Sequence, residues 1–175
     1  MTQEYQQWVG KHTNKKFNYF AKHQSGRPIE YNFNSTGYRG PEHSATPDIS
    51  VFGSSFSFGV GIEFNQCWHQ LLGKYQINCY APAGILMTNN DIIEHYQSTP
   101  IVSGIVILQF REAKYNCKPV YTPTNVLAFA IDNQKRIDIP CFTYHSFKDR
   151  AEDQIHPGPD THKLWAQLLK KTFNL

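Results

Sequence analysis

Two adjacent serines lie in a tight turn that directly follows a short β-branched run. They are Ser54 and Ser55, in the sequence V-F-G-S-S-F-S-F-G from Val51 to Gly59. In an open α/β sheet, a turn at the end of a strand lies at the carboxyl edge, where ligands bind. A serine there acts as a nucleophile only when a base accepts its proton, because the alkoxide is scarce at neutral pH. The turn therefore predicts an exposed hydroxyl that needs a base from elsewhere in the chain.

A candidate base lies late in the chain, in the sequence D-Q-I-H-P, which contains Asp153 and His156. The spacing of three residues lets the carboxylate fold back onto one ring nitrogen of the histidine, so that the other nitrogen can face a serine. In such an arrangement the carboxylate orients the ring, the imidazole takes the proton and the hydroxyl attacks. Ser55, His156 and Asp153 are therefore a candidate catalytic triad.

The elements that must position these residues alternate between strand and helix patterns. Buried strands have continuous apolar or β-branched runs, and the helices have apolar residues at helical spacing. This alternation indicates the α/β class with a mostly parallel sheet. The predicted order is a strand from Asp48, a helix over 63–75, a strand over 76–80, a helix over 89–97 capped by Asn89 or Asn90, and a strand over 103–110.

After Phe110 the pattern is weaker until the last helix. Residues 111–124 contain two prolines and little periodicity. The runs at 126–131 and 136–142 could form a hairpin or a helix followed by a strand, and strands are favoured. A final helix, with Asp160 as its cap, has an apolar stripe formed by Leu164, Trp165, Leu168 and Leu169.

The length of 175 residues fits one domain. The first part is polar and rich in turn formers, so we expect an irregular extension over 1–47 and a domain over 48–175. The net charge is only +3. Basic residues concentrate near the start, but no aromatic-basic motif accompanies them, and no nucleic-acid partner is predicted.

The four cysteines are widely spaced and form no C-x-x-C pair, which argues against zinc binding and against a disulfide framework. A metal site built from Asp153, His156 and His162 lacks the helical H-x-x-x-H pattern. We therefore expect neither a metal nor a cofactor, and we expect His162 to be a packing or capping residue. No apolar stretch of about 18 residues and no signal-peptide pattern occur, so a cytoplasmic protein without a membrane partner is expected.

Three sequence blocks occur in the order found in a known family. G-S-S-F at 53–56 takes the place of a Gly-Asp-Ser-Leu block, A-P-A-G-I followed by N-N-D-I matches a glycine block, and D-Q-I-H-P matches an Asp-x-x-His block. The chain therefore resembles a small SGNH hydrolase of the GDSL esterase and lipase family over about 48–169. The sequence N-S-T-G-Y-R-G-P at 34–41 resembles a lead-in found in some members.

This resemblance implies both a fold and an activity. The fold would be a flavodoxin-like three-layer α/β/α sandwich, and the reaction would be hydrolysis of an ester, with a short acyl or acetyl group on a carbohydrate as the first expectation. Ser55 would be the nucleophile, His156 the general base and Asp153 its orienting partner. The backbone N–H groups of Ser55 and Gly84 would donate to the oxyanion.

The chain departs from the family pattern in two blocks. Ser54 takes the place of the aspartate before the nucleophile. In the third block the family has Gly-x-Asn-Asp, whereas this chain has Q-F-R-E-A-K-Y-N, which places Glu112 where an asparagine donor is expected. Arg111 or Asn116 could replace that donor. Loss of one oxyanion donor typically costs about 100- to 1,000-fold in rate, so an active but atypical hydrolase is favoured.

Other interpretations compete with the hydrolase. Arg39 and Arg111 could bind an anionic group of the substrate, or could form salt bridges to carboxylates. The main alternative function is a degraded hydrolase fold that serves as a binding or structural module, in an oligomer or a larger assembly. A nucleotide-binding role is disfavoured because bulky phenylalanines lie where a backbone loop would have to approach phosphate.

Overall fold

The computed structural model describes residues 10–13, 29–82, 88–101, 103–110, 126–131, 141–142, 148–151 and 156–175. In chain order the strands are β1 Gly10–Thr13, β2 Glu30–Phe33, β3 Ile49–Phe52, β4 Ile77–Cys79, β5 Ile105–Phe110, β6 Val126–Ile131 and β7 Cys141–Phe142. The α-helices are α1 Ser55–Phe58, α2 Asn89–Ser98 and α3 Pro159–Phe173, and two 3-10 turns cover Phe64–Gln66 and Gln70–Leu72. None of the helices in these ranges is long and apolar enough to span a bilayer.

Five of the strands form one parallel sheet in the order β4-β3-β5-β6-β7. The predicted α/β class is confirmed. The chain passes from β3 to β4 on one side and then crosses to β5 on the other side of β3. The carboxyl ends of β3 and β5 therefore lie at a switch point of the sheet, which is where open α/β sheets bind ligands.

The sheet carries an apolar cluster on each face, because its central strands alternate their side chains between the two sides. Ile49 and Val51 of β3 belong to a cluster that includes Trp165 of α3. Phe52 belongs to a second cluster that includes Ile92 of α2. All four residues of β3 are buried, including Ser50, in agreement with the buried strand that the sequence predicts from Asp48.

The expectation of an irregular segment over 1–47 is wrong at 10–13 and 30–33, where the chain forms strands. Strands β1 and β2 pair antiparallel, and β2 alternates exposed and buried side chains. Ile29, Tyr31 and Phe33 belong to the same apolar cluster as Trp165. These residues are therefore part of the core, because their apolar side chains alternate with polar ones as in a half-buried strand.

The predicted helix over 63–75 is replaced by the two 3-10 turns. Between them the backbone is extended at Cys67, with φ −63° and ψ 140°. The N–H of Trp68 donates to Nδ1 of His162 at 3.0 Å, instead of to a carbonyl one helical turn earlier. A tertiary hydrogen bond thus competes with the helix that the apolar spacing indicates.

The residue that caps α2 lies just before the two residues predicted for this role. The cap is Thr88, whose hydroxyl accepts from the N–H of Asp91, while the Asp91 carboxylate accepts from the N–H of Thr88. This reciprocal pair is a capping box. Asn89 and Asn90 are already helical, so the prediction that one of them caps the helix is wrong.

At the far side of the sheet, β6 and β7 confirm that the chain forms strands at 126–131 and at the end of 136–142. The two strands are parallel. A parallel pair excludes the hairpin that the sequence left open, because a hairpin joins antiparallel strands.

Candidate active site

The serine turn lies between the end of β3 and the start of α1. Ser54 is the helix cap, with extended backbone, and Ser55 is the first helical residue. Gly53 can have no side chain, because a Cβ there would collide with Oγ of Ser57 and lie 2.9 Å from Oε1 of Gln109. The glycine thus lets the turn pack closely against Gln109 of β5.

The structure brings His156 to Ser55. Nε2 of His156 lies 3.1 Å from Oγ of Ser55. Ser55 is partly exposed and His156 is 7% exposed. The rings of His156 and Phe56 are nearly perpendicular, with their centroids 5.7 Å apart. A neutral imidazole at this distance can accept the hydroxyl proton. The structure therefore brings together the two residues that the sequence predicts as nucleophile and base.

The residues 149–151 and 156–158 are hydrogen-bonded to each other. The N–H of Ala151 donates to the carbonyl of His156 at 2.9 Å, and Arg150 forms a β-bridge with Pro157. The N–H of Gly158 donates to the carbonyl of Asp149 at 3.1 Å. These bonds fix the backbone of His156 between residues 149–151 and the start of α3, so the imidazole has a defined position relative to α3.

The carboxylate of Asp149 ties the same residues to the start of α3. Its two oxygens accept from the N–H groups of Asp160 and Thr161, each at 2.9 Å. The cap is therefore supplied by Asp149 from outside the helix, and the prediction that Asp160 is the cap is wrong. Gly158 permits this contact, because a Cβ there would lie 2.5 Å from the Asp149 carboxyl.

The predicted oxyanion site is only partly within the described residues. The N–H of Ser55 makes no hydrogen bond in the part of the chain that the structure describes. The first N–H groups of a helix have no intrahelical partner, so this N–H is available to an oxyanion. The other sequence-predicted site residues, Asp153, Gly84, Arg111, Glu112 and Asn116, lie outside the described residues.

Arg39 is not a substrate-binding residue, and the prediction that it binds an anionic group is wrong. It is 4% exposed. Its guanidinium donates to the carbonyls of Phe58, Gly59 and Ile62 at 2.9, 2.6 and 2.7 Å, and lies 4.4 Å from the centre of the Tyr31 ring. Its planar set of donors stabilises the chain just after α1, instead of facing a ligand.

A buried glutamine at the end of β5 was missed by the sequence analysis. Gln109 has no exposed surface, and its amide contacts the serine turn. Its position could have been recognised from the sequence, because Gln109 is the single polar residue in the otherwise apolar strand I-V-I-L-Q-F. A polar side chain in such a strand requires hydrogen-bond partners, because an unpaired buried amide is costly.

Two buried histidines lie behind the serine turn. Nε2 of His69 donates to the carbonyl of Ser57 at 3.0 Å, and its Nδ1 accepts from the Gln70 amide. Burial lowers the pKa of His69 to about 4. Nδ1 of His162 accepts from Trp68, and burial holds the pKa of His162 well below its usual value, so this histidine is a packing residue as expected.

These histidines predict a loss of stability in acid. In the unfolded chain each has the ordinary pKa of 6.5, whereas the folded protein holds both neutral at lower pH. The unfolded state therefore binds more protons as the pH falls from about 6.5 towards 4, and the free energy of unfolding should fall by up to about 1.4 kcal/mol per pH unit for each histidine. Urea unfolding at a series of pH values measures this slope.

His69→Gln is the matched variant for the acid prediction. It should lose the His69 share of the slope and keep the rest, because burial also lowers the pKa values of His43, His95 and His162. An unchanged slope in this variant would show that the burial of His69 does not control the acid stability.

Among the described residues, no three histidine, cysteine or acidic side chains cluster as metal ligands. No protein-family model matches the chain, and no curated protein or solved structure matches it either. The feature of this site that bears most directly on its chemistry is the contact between Ser55 and His156.

Proposed function

We propose that the chain is a serine hydrolase that cleaves a carboxylic ester. The observation that carries the proposal is the 3.1 Å contact between Nε2 of His156 and Oγ of Ser55. It lies at the carboxyl end of β3, at the switch point of a parallel sheet. A partly exposed serine whose hydroxyl contacts a buried imidazole, at the edge of the sheet where substrates bind, fits nucleophilic catalysis better than packing.

The geometry suggests the following reaction. The neutral imidazole of His156 takes the proton of Ser55 as Oγ attacks the ester carbonyl carbon. The N–H of Ser55 stabilises the oxyanion that forms, and His156 returns the proton to the leaving alcohol. Water then enters, activated by the same imidazole, and attacks the acyl-enzyme to release the acid. Asp153 is proposed to orient the imidazole from its other nitrogen.

The sheet supports the proposed SGNH-type fold. Within the parallel sheet the second strand along the chain is at the edge, followed by the first, third, fourth and fifth. This is the strand order of flavodoxin-like folds. Apolar clusters on the two faces, one with α2 and one with α3, fit a three-layer α/β/α sandwich. We propose a short acyl group on a carbohydrate as the substrate, on the basis of the sequence resemblance.

The proposal is tested with p-nitrophenyl acetate and a fluorophosphonate probe. The unmodified protein should hydrolyse the ester and take up one probe molecule per chain, and Ser55→Ala should do neither. Ser98→Ala is the control, because Ser98 is an exposed hydroxyl at the end of α2 and should leave both signals unchanged. Acetyl, butanoyl and dodecanoyl esters compared side by side test the preference for a short acyl group.

Two outcomes would contradict this proposal in different ways. A protein that neither turns over ester nor takes up the probe would exclude the hydrolase and favour the binding or structural module. Equal labelling of the unmodified protein and Ser55→Ala would exclude Ser55 as the nucleophile.

A further inference from the structure

One buried side chain holds the serine turn from behind. Oε1 of Gln109 lies 3.1 Å from the backbone nitrogen of Ser54, 3.0 Å from the hydroxyl of Ser54 and 3.1 Å from the hydroxyl of Ser57. Its Nε2 donates to the carbonyl of Phe110 at 2.6 Å. Three donors from the turn therefore converge on one amide oxygen of β5.

The direction of every bond in this cluster follows from its partners. The N–H of Ser54 can only donate and the carbonyl of Phe110 can only accept, so the amide orientation is fixed. Nε1 of Trp68 donates to Oγ of Ser57 at 3.3 Å, and the N–H of Phe56 donates to Oγ of Ser54 at 3.4 Å. Each hydroxyl is thus supplied with a donor and directs its own proton to Gln109.

The helix that begins at Ser55 depends on this cluster. It is four residues long, far too short to be stable from its own hydrogen bonds. Ser54, just before the nucleophile, and Ser57, two residues after it, are both tied to the same oxygen. The position of the Ser55 hydroxyl relative to His156 is therefore set by Gln109 through its two neighbours, without contact between Gln109 and the hydroxyl of Ser55.

We propose that Gln109 is a positioning residue for the nucleophile, an inference that rests on the proposed hydrolase. It holds the turn so that Oγ of Ser55 remains within hydrogen-bond distance of His156. Gln109 has no exposed surface, so it does not supply the oxyanion donor that the third block of the sequence lacks. Gln109 affects the rate of acyl transfer through geometry, and substrate binding is independent of it.

The first test is Gln109→Met, which keeps the length of the side chain and removes its acceptor. A displacement of about 1 Å at a catalytic group can cost on the order of 100-fold in rate. We expect kcat for p-nitrophenyl acetate and the rate of fluorophosphonate labelling to fall together by about 10- to 100-fold, with KM unchanged within about twofold. Near-UV circular dichroism establishes that the variant is folded.

The control is Asn78→Ala, at a buried residue of β4. Asn78 is 3% exposed. Its amide oxygen accepts from the N–H of Ser44 and its amide nitrogen donates to the carbonyl of Ser44, on the other side of the sheet from Gln109. This variant also loses buried hydrogen bonds, so its stability should fall, but its kcat should not. The comparison separates a loss of stability from a loss of positioning.

The second test is Gln109→Glu. It predicts a pH dependence of kcat that a merely structural role of Gln109 would not produce. When the introduced carboxyl is protonated it can accept from the turn and donate to Phe110, as the amide does. When it is ionised, an oxygen without a proton faces the Phe110 carbonyl. The ratio of the variant's kcat to that of the unmodified protein should therefore fall as the pH rises, while the circular dichroism stays that of the folded protein.

The outcomes distinguish this inference from the proposed function. A folded Gln109→Met with unchanged kcat, or a pH-independent ratio for Gln109→Glu, would overturn the positioning role while the hydrolase remains. Absence of turnover in the unmodified protein would instead contradict the hydrolase itself. If Gln109→Met does not fold, the pH-dependent ratio of Gln109→Glu decides.

Discussion

Replacement of His156 by alanine is expected to lower kcat/KM for p-nitrophenyl acetate by about 10⁴- to 10⁶-fold. The reason is that Nε2 of His156, 3.1 Å from Oγ of Ser55, is the group positioned to accept the hydroxyl proton. Without it the serine attacks as a neutral hydroxyl. Fluorophosphonate labelling should slow by a comparable factor, because the probe also requires an activated serine.

The histidine control is His43→Gln. The ring of His43 packs 4.5 Å from that of Tyr80, next to the edge strand β4. This variant should retain the kcat/KM of the unmodified protein. A His156→Ala protein with activity within tenfold of the unmodified protein would contradict the assignment of His156 as the base.

Asp153→Asn is expected to lower kcat by about 10⁴-fold with little change in KM. An asparagine keeps the size of the side chain, but it can present an amide N–H to the imidazole and so favour the wrong tautomer. The measurement is steady-state hydrolysis of p-nitrophenyl acetate, with the rate of probe labelling as a second measure of serine activation.

Asp160→Asn is the matched control for this aspartate. Asp160 is exposed in the first turn of α3, and it contributes its backbone N–H to the loop instead of its carboxylate. The Asp160→Asn variant should hydrolyse p-nitrophenyl acetate with the kcat of the unmodified protein. Retention of activity by Asp153→Asn would mean that His156 works in a Ser–His pair oriented by another group.

The approach of Ser55, the proposed nucleophile, to His156, its proposed base, could be predicted, as could the strands of the central sheet, because their signals are local. Ser55 follows a buried strand, and His156 follows an aspartate by three residues, shortly before an apolar helix. Apolar runs and helical spacing specify elements such as β5 and α3 whatever their partners. The three-dimensional contact of Ser55 with His156 then follows from the order of the strands and the final helix.

The rest depended on contacts between residues that are distant in the chain. Arg39 has the composition of an anion-binding residue, but its partners are carbonyls about 20 positions later, and no pattern in the sequence specifies them. Gln109 meets Ser54 across 55 positions. In both cases the residue type indicates a need for hydrogen bonds, and only the fold decides whether a ligand or the protein's own backbone satisfies it.

Errors in the predicted helices have the same origin. The apolar spacing over 63–75 favours a helix, but the N–H of Trp68 bonds His162, which is 94 positions away. The cap of α3 comes from Asp149, 11 positions before the N–H of Asp160. Local preferences amount to fractions of a kcal/mol per residue, so a buried hydrogen bond can outweigh them.

Ser55 and His156, the proposed catalytic pair, are anchored to different elements of the fold. Ser55 is fixed to the central strands through Gln109, whereas His156 is fixed through Asp149 to α3, whose attachment to the sheet rests on buried side chains such as Trp165 and Leu169. Their hydrogen bond spans 101 positions. Partial unfolding that releases only α3 would separate base from nucleophile while the sheet stays intact. The stability relevant to catalysis is therefore the free energy of docking this one helix, which can be smaller than the free energy of global unfolding.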